Sequence, residues 1–321
     1  MYVSIDPAHS RAAAPAFRSQ PINPRLSLIM VVYMTGPALM ESVRHVLAEP
    51  AVEEFVIVDN GSSLADGAWL RELARREPRV RLLQGLGNIG FARAANLGAA
   101  SAKGEELVFL NPDAFLTPGA IAALADAARD RPSPCVVGAR VFNTDGTEQR
   151  GARRGEITPV TTLLTLSKLS ATLPPLRRFE IHREDEPPPS YPVDTPTISG
   201  ACFYMTARDF HVLGGFDEGF FLHVEDIDLC WRARRQGGCV MFQPNARIVH
   251  VGSTSRENPL VVEWHKGKGL VRYFLKRADT PQRKALALLL APLILATAIA
   301  RPLLRKALKG RMSARLAPAH G

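Results

Sequence analysis

Two short acidic stretches have the residue types and spacing for chemistry. The first is Asn111-Pro112-Asp113, which breaks off the apolar run Leu107–Leu110. An aspartate after Asn-Pro commonly closes a turn. A carboxylate at the end of an apolar strand also suits a hard divalent cation, Mg2+ or Mn2+, which takes one or two carboxylates together with substrate phosphates. The second is Glu225-Asp226-Ile227-Asp228, three acids in the first turn of a segment that ends in Arg232, Arg234 and Arg235. That order of charge complements a helix dipole, at about 0.3–1 kcal/mol per favourable charge. Yet Phe220, Phe221, Leu222 and Val224 precede the acids, and Ile227, Cys230 and Trp231 share their inner face. Carboxylates crowded against apolar groups and against one another tend toward raised pKa values, and such a group suits a general base, worth roughly 10²–10⁴ in rate.

Three further positions extend the set. Asp59 follows Phe55–Val58 and precedes Asn60-Gly61-Ser62-Ser63, so it caps a helix or contacts the base or ribose of a nucleotide. His250 closes the run Ala246–Val249, as a structural histidine or as a metal or phosphate contact. Lys266, Lys268, Arg272, Lys276 and Arg277 either reach phosphates or line a solvated helix face.

These residues need elements to hold them. Apolar runs at 26–33, 53–59, 80–84 and 106–110 read as strands, and they alternate with helical segments at 37–48, 68–76, 90–102 and 118–129. Such alternation marks a parallel α/β sheet, in which ligands lie at the carboxyl ends of the strands. Asp59 and Asp113 both stand at such ends. The alternation stops after about residue 141. Residues 151–192, with the run Pro187-Pro188-Pro189, read as an irregular loop or lid, since proline opposes regular structure. Helices follow at 207–213, ended by Gly214-Gly215, and at 224–238. "CVMFQ" and "ARIVHVG" then read as two short strands.

Of the 321 residues, 46% are apolar, enough for a sizeable core. Residues 1–24 read as a disordered leader without a secretory signal, 25–262 as a catalytic domain, and 263–321 as a basic, partly apolar helical extension. None of the four cysteines forms a C-x-x-C pair, which fits a reducing compartment. From Trp264 onward thirteen Lys and Arg face a single acid, Asp279, so the net charge of +9 belongs to the C-terminal end. The folded part is slightly acidic, which speaks against a nucleic-acid binder and points the basic end to phosphates or an anionic membrane. Residues 285–300 are sixteen apolar or small residues, about 24 Å as a helix against a hydrocarbon core of about 30 Å. With Pro292 interrupting it, this run does not read as a clean span. Beyond it Leu303, Leu304, Ala307, Leu308, Met312 and Leu316 share one helical face and Arg305, Lys306, Lys309, Arg311 and Arg315 another. That is an interfacial amphipathic pattern or a buried C-terminal helix.

Taken in order, "VVYMTGPAL", "VDNGSS", "GNIGFARAANLGAA", "FLNPDAFLTPG", "SGACFYMTARDFHVLGGFDEGFFLHVEDIDLCWRARRQG" and "IVHVGSTS" resemble family 2 glycosyltransferases, most closely the bacterial rhamnosyltransferase-like branch, over about residues 26–275. The resemblance implies a GT-A fold, a Rossmann-like mainly parallel sheet flanked by helices. It also implies inverting transfer of a sugar from a nucleoside-diphosphate donor, with rhamnose from dTDP-rhamnose as the best guess. The acceptor would be a hydroxyl of a lipid-linked or cell-surface glycan, and the place the inner, cytoplasmic face of the plasma membrane. Carried onto this chain, Asp59 contacts the pyrimidine base, with Tyr33 and Asn60 beside it, and Asn88 and Asn96 lie in the nucleotide-side segment. Asp113 and His250 hold the divalent cation or the diphosphate, and Lys266 assists at the phosphates. Asp226, paired with Glu225, is the catalytic base. Where many members carry Asp-x-Asp, Asn111 replaces the first acid, and Met34 stands where an asparagine usually follows Tyr33. Two other readings stay open: a nucleotidyltransferase, although "VVYMTGPALMESVRHVL" supplies no Gly-rich basic loop, and an inactive sugar-nucleotide-binding homologue.

Overall fold

Strands form where apolar β-branched and aromatic residues leave no polar face. In the computed structural model, which describes residues 26–316 apart from 253 and 256 (side chains through 303), β1 (Leu26–Val32) is buried at every position, as a strand covered on both faces must be. The expected leader, 1–24, lies outside the described residues. β2 (Glu54–Asp59) and β4 (Glu106–Leu110) pair with it in parallel and β3 (Val80–Leu83) pairs in parallel with β2, giving the order β3-β2-β1-β4. The crossovers are α1 (Ala38–Leu47), α2 (Leu64–Arg76) and α3 (Phe91–Ser101). α2 starts four residues before the expected Ala68, because the Ser63 hydroxyl accepts from Asp66 N at 3.1 Å and caps it. α3 lies close on the sheet: a Cβ at Gly98 would stand 2.7 Å from Ile29 Cγ2.

The second half of the sheet is mixed. β5 (Ala114–Leu116), α4 (Ala120–Ala128) and β6 (Cys135–Phe142) lead into the insertion, which comprises β7 (Arg153–Arg154), α5 (Pro159–Leu166), α6 (Leu169–Thr172), a 3-10 turn at Pro174–Phe179, β8 (Val193–Asp194) and β9 (Thr197–Ile198). β10 (Cys202–Thr206), α7 (Ala207–Val212), α8 (Glu225–Arg235), β11 (Cys239–His250), α9 (Pro259–Arg277) and α10 (Pro281–Leu316) complete the chain. β10 runs antiparallel between β4 and β6, β11 is parallel to β6, and β5 closes the far edge. Alternate strand residues feed two cores. Leu28, Met30 and Phe55 meet α1, α2 and α4, while Ile29, Val56, Phe109 and Phe203 meet α3, α7 and α8.

Three expectations are corrected. Residues 151–179 are not irregular, although 180–192, with Pro187–Pro189, hold only an isolated bridge: Pro159 sits at the first position of α5, where its missing N–H costs nothing, and Thr158 and Thr161 form a capping box. The two short strands are one, β11, with a bulge between Gln243 and Arg247 that accommodates Pro244. Pro292 does not interrupt the C-terminal helix either. α10 continues through Pro292 and Pro302, and its apolar part spans Pro281–Leu303, 23 residues or about 35 Å. The amphipathic face expected from 304 onward concerns side chains outside those described.

Candidate active site

The turn after β4 brings the first group together. Asp113 is 5% exposed. Its Oδ1 lies 3.1 Å from His250 Nε2 and its Oδ2 accepts from the Thr254 hydroxyl at 2.9 Å. Burial disfavours the ionised carboxyl, but His250 and Thr254 outweigh burial and hold its pKa below the ordinary aspartate value. Pairing of His250 with Ala114 across β11 and β5 fixes this geometry. Gln149 Nε2 donates to Asn143 Oδ1 and to the His250 carbonyl, which turns Gln149 Oε1 toward His250 Nδ1 at 2.7 Å. Nδ1 therefore carries the hydrogen, as assigned from this network. Nε2 is left facing Asp113 Oδ1, with the Asn111 amide 3.3 Å away. With a proton on Nε2 as well, His250 donates to Asp113 Oδ1, the arrangement that lowers the Asp113 pKa; without that proton, the two facing acceptors suit a shared cation. No group of three or more His, Cys, Asp or Glu arranged to hold a metal ion occurs among the described residues. The donor set is thus one carboxylate and one imidazole, which fits an ion that completes its shell with phosphate and water.

At the end of β2, Asp59 Oδ1 accepts from Gly61 N at 3.2 Å and Ser62 N at 2.8 Å, and Oδ2 accepts from Gln84 at 2.8 Å. Asn60 Nδ2 donates to Asn88 Oδ1 at 3.1 Å and Asn60 Oδ1 accepts from Ile89 N at 2.9 Å, which stitches the loop before α3 to β2. Gly61 crosses the Tyr33 ring at φ +113°, and a Cβ there would stand 3.2 Å from Tyr33 Cε2. The Tyr33 hydroxyl donates to Glu257, which raises its pKa. Tyr33, Asp59, Asn60 and Asn88 thus share one end of the sheet. Asn96 does not join them. Its amide clamps Phe216, donating to the carbonyl at 2.9 Å and accepting from the N–H at 2.8 Å, so it fixes the loop ahead of α8.

The second acidic group sits at the start of α8. Asp226 Oδ2 accepts from Arg154 Nη2 at 2.6 Å and from Gly200 N at 3.0 Å, while Oδ1 accepts from Ile227 N at 2.9 Å. The raised pKa expected for this cluster belongs to Glu225, where burial comes first and the Asp226 charge second. At Asp226 the Arg154 guanidinium overrides burial and lowers the pKa. Glu225 Oε2 is buried without a hydrogen-bond partner among the described residues. The two acidic groups are joined through neighbouring residues: Gly200 donates to Asp226, and the Ala201 carbonyl accepts from Asn111 N at 2.9 Å. The expected basic arm divides. Arg272 and Lys276 pair with Asp217, and Arg277 pairs with Glu156. Lys276 also pairs with Asp228 at 2.8 Å, and Lys266 has Arg154 and Asp226 among its electrostatic neighbours. Arg154, Gln149 and Thr254 escaped sequence reasoning. Arg154 lies in the stretch read as a lid, and neither Gln149 nor Thr254 carries a pattern of its own.

Residues 27–208 match the family described as Glycosyl transferase family 2. The chain belongs to that family. It is 30% identical, over 72% of its length and 78% of the relative's, to the N-acetylglucosaminyl-diphospho-decaprenol L-rhamnosyltransferase of Mycobacterium tuberculosis. Its fold is similar to that of GalNAc-T7 in the crystal structure with UDP, GalNAc and Mn2+ (TM-score 0.58, 18% identity, 80% of this chain and 48% of that one). It is also similar to the mannosyltransferase PcManGT from Pyrobaculum calidifontis in complex with GDP-Man and Mn2+ (TM-score 0.54, 18% identity, 92% and 81%). The protein is a family 2 glycosyltransferase with a GT-A fold and an apolar C-terminal helix.

Proposed function

We propose that this glycosyltransferase moves rhamnose from dTDP-rhamnose, with inversion, to a hydroxyl of a sugar carried on a lipid diphosphate, working on the cytoplasmic face of the plasma membrane. One observation carries the reading: Asn111, whose amide lies 3.3 Å from His250 Nε2 beside Asp113, and the Asp226 carboxylate bond adjacent residues, Ala201 and Gly200, at one end of the sheet. The Mycobacterium tuberculosis relative supports the choice of sugar and acceptor.

In the reaction the acceptor oxygen attacks the anomeric carbon from the face opposite the diphosphate. Asp226 takes the hydroxyl proton, the new C–O bond forms, and the old C–O bond breaks with its electron pair on the diphosphate. Tyr33, Asp59, Asn60 and Asn88 hold the nucleotide end of the donor. Asp113 and His250 would hold a divalent cation, which when bound supplies positive charge at the leaving diphosphate. Neutral Asn111 lowers the negative charge of that site relative to Asp-x-Asp.

The test is turnover with a panel of nucleoside-diphosphate sugars, with and without Mg2+ or Mn2+, with the product's anomeric configuration read by NMR. dTDP-rhamnose should be preferred, and the product linkage should be opposite to the donor's. Asp226→Asn should lower kcat by roughly 10²–10⁴. A folded Asp226→Asn protein with full turnover would remove Asp226 from the base role.

A further inference from the structure

We propose that Arg154 and Lys266 together hold a phosphate group of the acceptor, beside Asp226 and apart from the Asp113–His250 pocket, and that this phosphate draws Arg154 off Asp226 and frees the base. The proposal rests on the lipid-diphosphate acceptor of the preceding section and adds where its phosphate binds.

The starting observation is that Asp226 cannot act as it stands. Three donors occupy its carboxylate, and the strongest is a guanidinium at 2.6 Å. A carboxylate held in this way is a weak proton acceptor, the opposite of what a general base needs. Something must take Arg154 away, and an anion is the chemistry that does so. The residue is placed for an exchange. It sits on the two-residue strand β7, its Nε donates to the Gly151 carbonyl at 3.0 Å, and its Nη2 also donates to the Ile198 carbonyl at 2.9 Å. These two carbonyls anchor the stem of the side chain, while Nη1 makes no hydrogen bond among the described residues. The neighbouring Arg153 shows the contrast. It is buried and tied to Glu148 and to the carbonyls of Glu186 and Pro187, so nothing is left over.

Lys266 supplies the second cation from α9. It lies on the buried stripe of α9 with Leu270 and Tyr273, one turn before Gly269. At Gly269 the helix touches the loop that launches α8: a Cβ there would stand 3.0 Å from Val224 Cγ2 and 3.2 Å from the His223 carbonyl. The neighbouring His265 stacks on Phe221 at 4.6 Å. Unlike Arg272, Lys276 and Arg277, Lys266 has no ion pair or hydrogen bond among the described residues, though it is half-buried. Enclosure lowers its pKa, with Arg301 and Arg154 adding to the effect against Glu263 and Asp226. A half-enclosed ammonium without an ion pair, close enough to Arg154 to feel its charge, is costly until an anion arrives. A phosphate between Arg154 and Lys266 answers both charges and stands one side chain away from the base. The Asp113 pocket is different in kind. Its groups are His250, Thr254, Gln149 and Asn111, with no lysine or arginine bonded to them among the described residues.

Two synthetic acceptors test this, N-acetylglucosaminyl-diphospho-undecane and undecyl N-acetylglucosaminide, which differ only in the diphosphate. Binding to the full chain is measured by calorimetry, and turnover is measured separately with dTDP-rhamnose. The diphosphate compound should bind about 30-fold more tightly, as two charge-assisted contacts allow. Lys266→Met and Arg154→Gln should each shrink that gap about tenfold or more while leaving the affinity for the neutral compound unchanged. Equal affinities in the wild type, or a gap that survives both substitutions, overturn the proposal. Should Arg154→Gln fail to fold, Lys266→Met decides alone. An affinity gap without turnover defeats the functional reading and leaves the site standing. Turnover without a gap does the reverse.

Discussion

Glu225 and Asp226 are adjacent in sequence, buried together, and pushed in opposite directions. Arg154 keeps Asp226 ionised, and burial plus the Asp226 charge keeps Glu225 protonated at neutral pH. Opposed environments of this kind divide two carboxyls into different roles: Asp226 is the group able to be a base once released, and Glu225 is a neutral neighbour that spares the site a second buried negative charge. The sign of the pH effect follows. Glu225 has a folded-state pKa above its unfolded value, so its contribution to stability is complete below the ordinary glutamate pKa of about 4.3 and is lost as pH rises above it. Asp113 runs the other way. Its folded-state pKa is lowered, so its contribution is present above the ordinary aspartate pKa and is lost as pH falls below it. Glu225→Gln, a neutral isostere of the protonated acid, should therefore raise the Tm at pH 7–8 and flatten its decline between pH 5 and pH 8, as measured by thermal unfolding. A mutant whose Tm keeps the wild-type slope over that range would contradict the protonated assignment.

The elements explain how α8 presents these acids. His223 and Val224 both have positive φ, 66° and 77°, in the left-handed region that costs a β-branched residue about 1–3 kcal/mol. The chain holds this shape because α9 presses on it at Gly269, while Asn96 clamps the preceding loop at Phe216. Gly269→Ala should force α9 off the Val224 loop, lower stability by about 1–3 kcal/mol and reduce kcat with little change in donor KM. Gly267→Ala, whose Cβ would meet Ala298 Cβ at 3.1 Å instead, should loosen α10 and leave kcat nearer wild type. Urea unfolding and steady-state kinetics on the two mutants separate these effects. The same elements mark what the sequence could disclose. Strands β1 to β4 are legible because each is a short apolar run bounded by turn residues, and Asp59 and Asp113 are legible because they end such runs. β10 is not, since its antiparallel insertion between β4 and β6 depends on partners nearly a hundred residues away. The order of α5, which Pro159 starts, is hidden by the later prolines 187–189, which belong to no helix or strand, and with it the position of Arg154 over Asp226. Lys266 can be read as a cation, but only the packing of α9 on residues 223 and 224 reveals that it feels Arg154 and Asp226 while Arg272 and Lys276 pair with Asp217.

At the scale of the whole molecule the question is how a sheet with one active end meets a lipid. The apolar part of α10 is long enough to cross a membrane, and only 17% of its most apolar window is buried against protein. Length alone would make it a span. Its packing argues otherwise: Ala287, Ile294 and Ala298 are buried, Gly267 of α9 lies against Ala298 and Leu295, and Ile294 joins Leu270, Tyr273, Phe274, Val224 and Ile227 in one apolar cluster. A helix fixed along one face to the domain that carries Asp226 cannot also be surrounded by hydrocarbon, because α9 would bring Lys266, Lys268 and Arg272 into the bilayer with it. The opposite face exposes Leu286, Leu289, Leu293 and Leu303, with Arg283 and Lys284 at its start. A helix docked on one side and apolar on the other suits the interface, sunk to the headgroup–acyl boundary, and we propose that placement for α10, with anionic lipid strengthening it through the basic flank. Leu289→Ser and Leu293→Ser together should weaken co-sedimentation with vesicles containing anionic phospholipid, by on the order of tenfold per leucine. The bound wild type should be released by high salt together with alkaline carbonate. Wild-type protein that resists carbonate extraction, or a double mutant that binds vesicles as tightly as wild type, would place α10 differently. A bilayer lying along α10 would also lie beside α9, whose buried stripe carries Lys266. Under the proposed function, the outer face of α10 and the proposed phosphate site would form one arrangement, in which the lipid tail stays in the membrane while its diphosphate reaches Asp226.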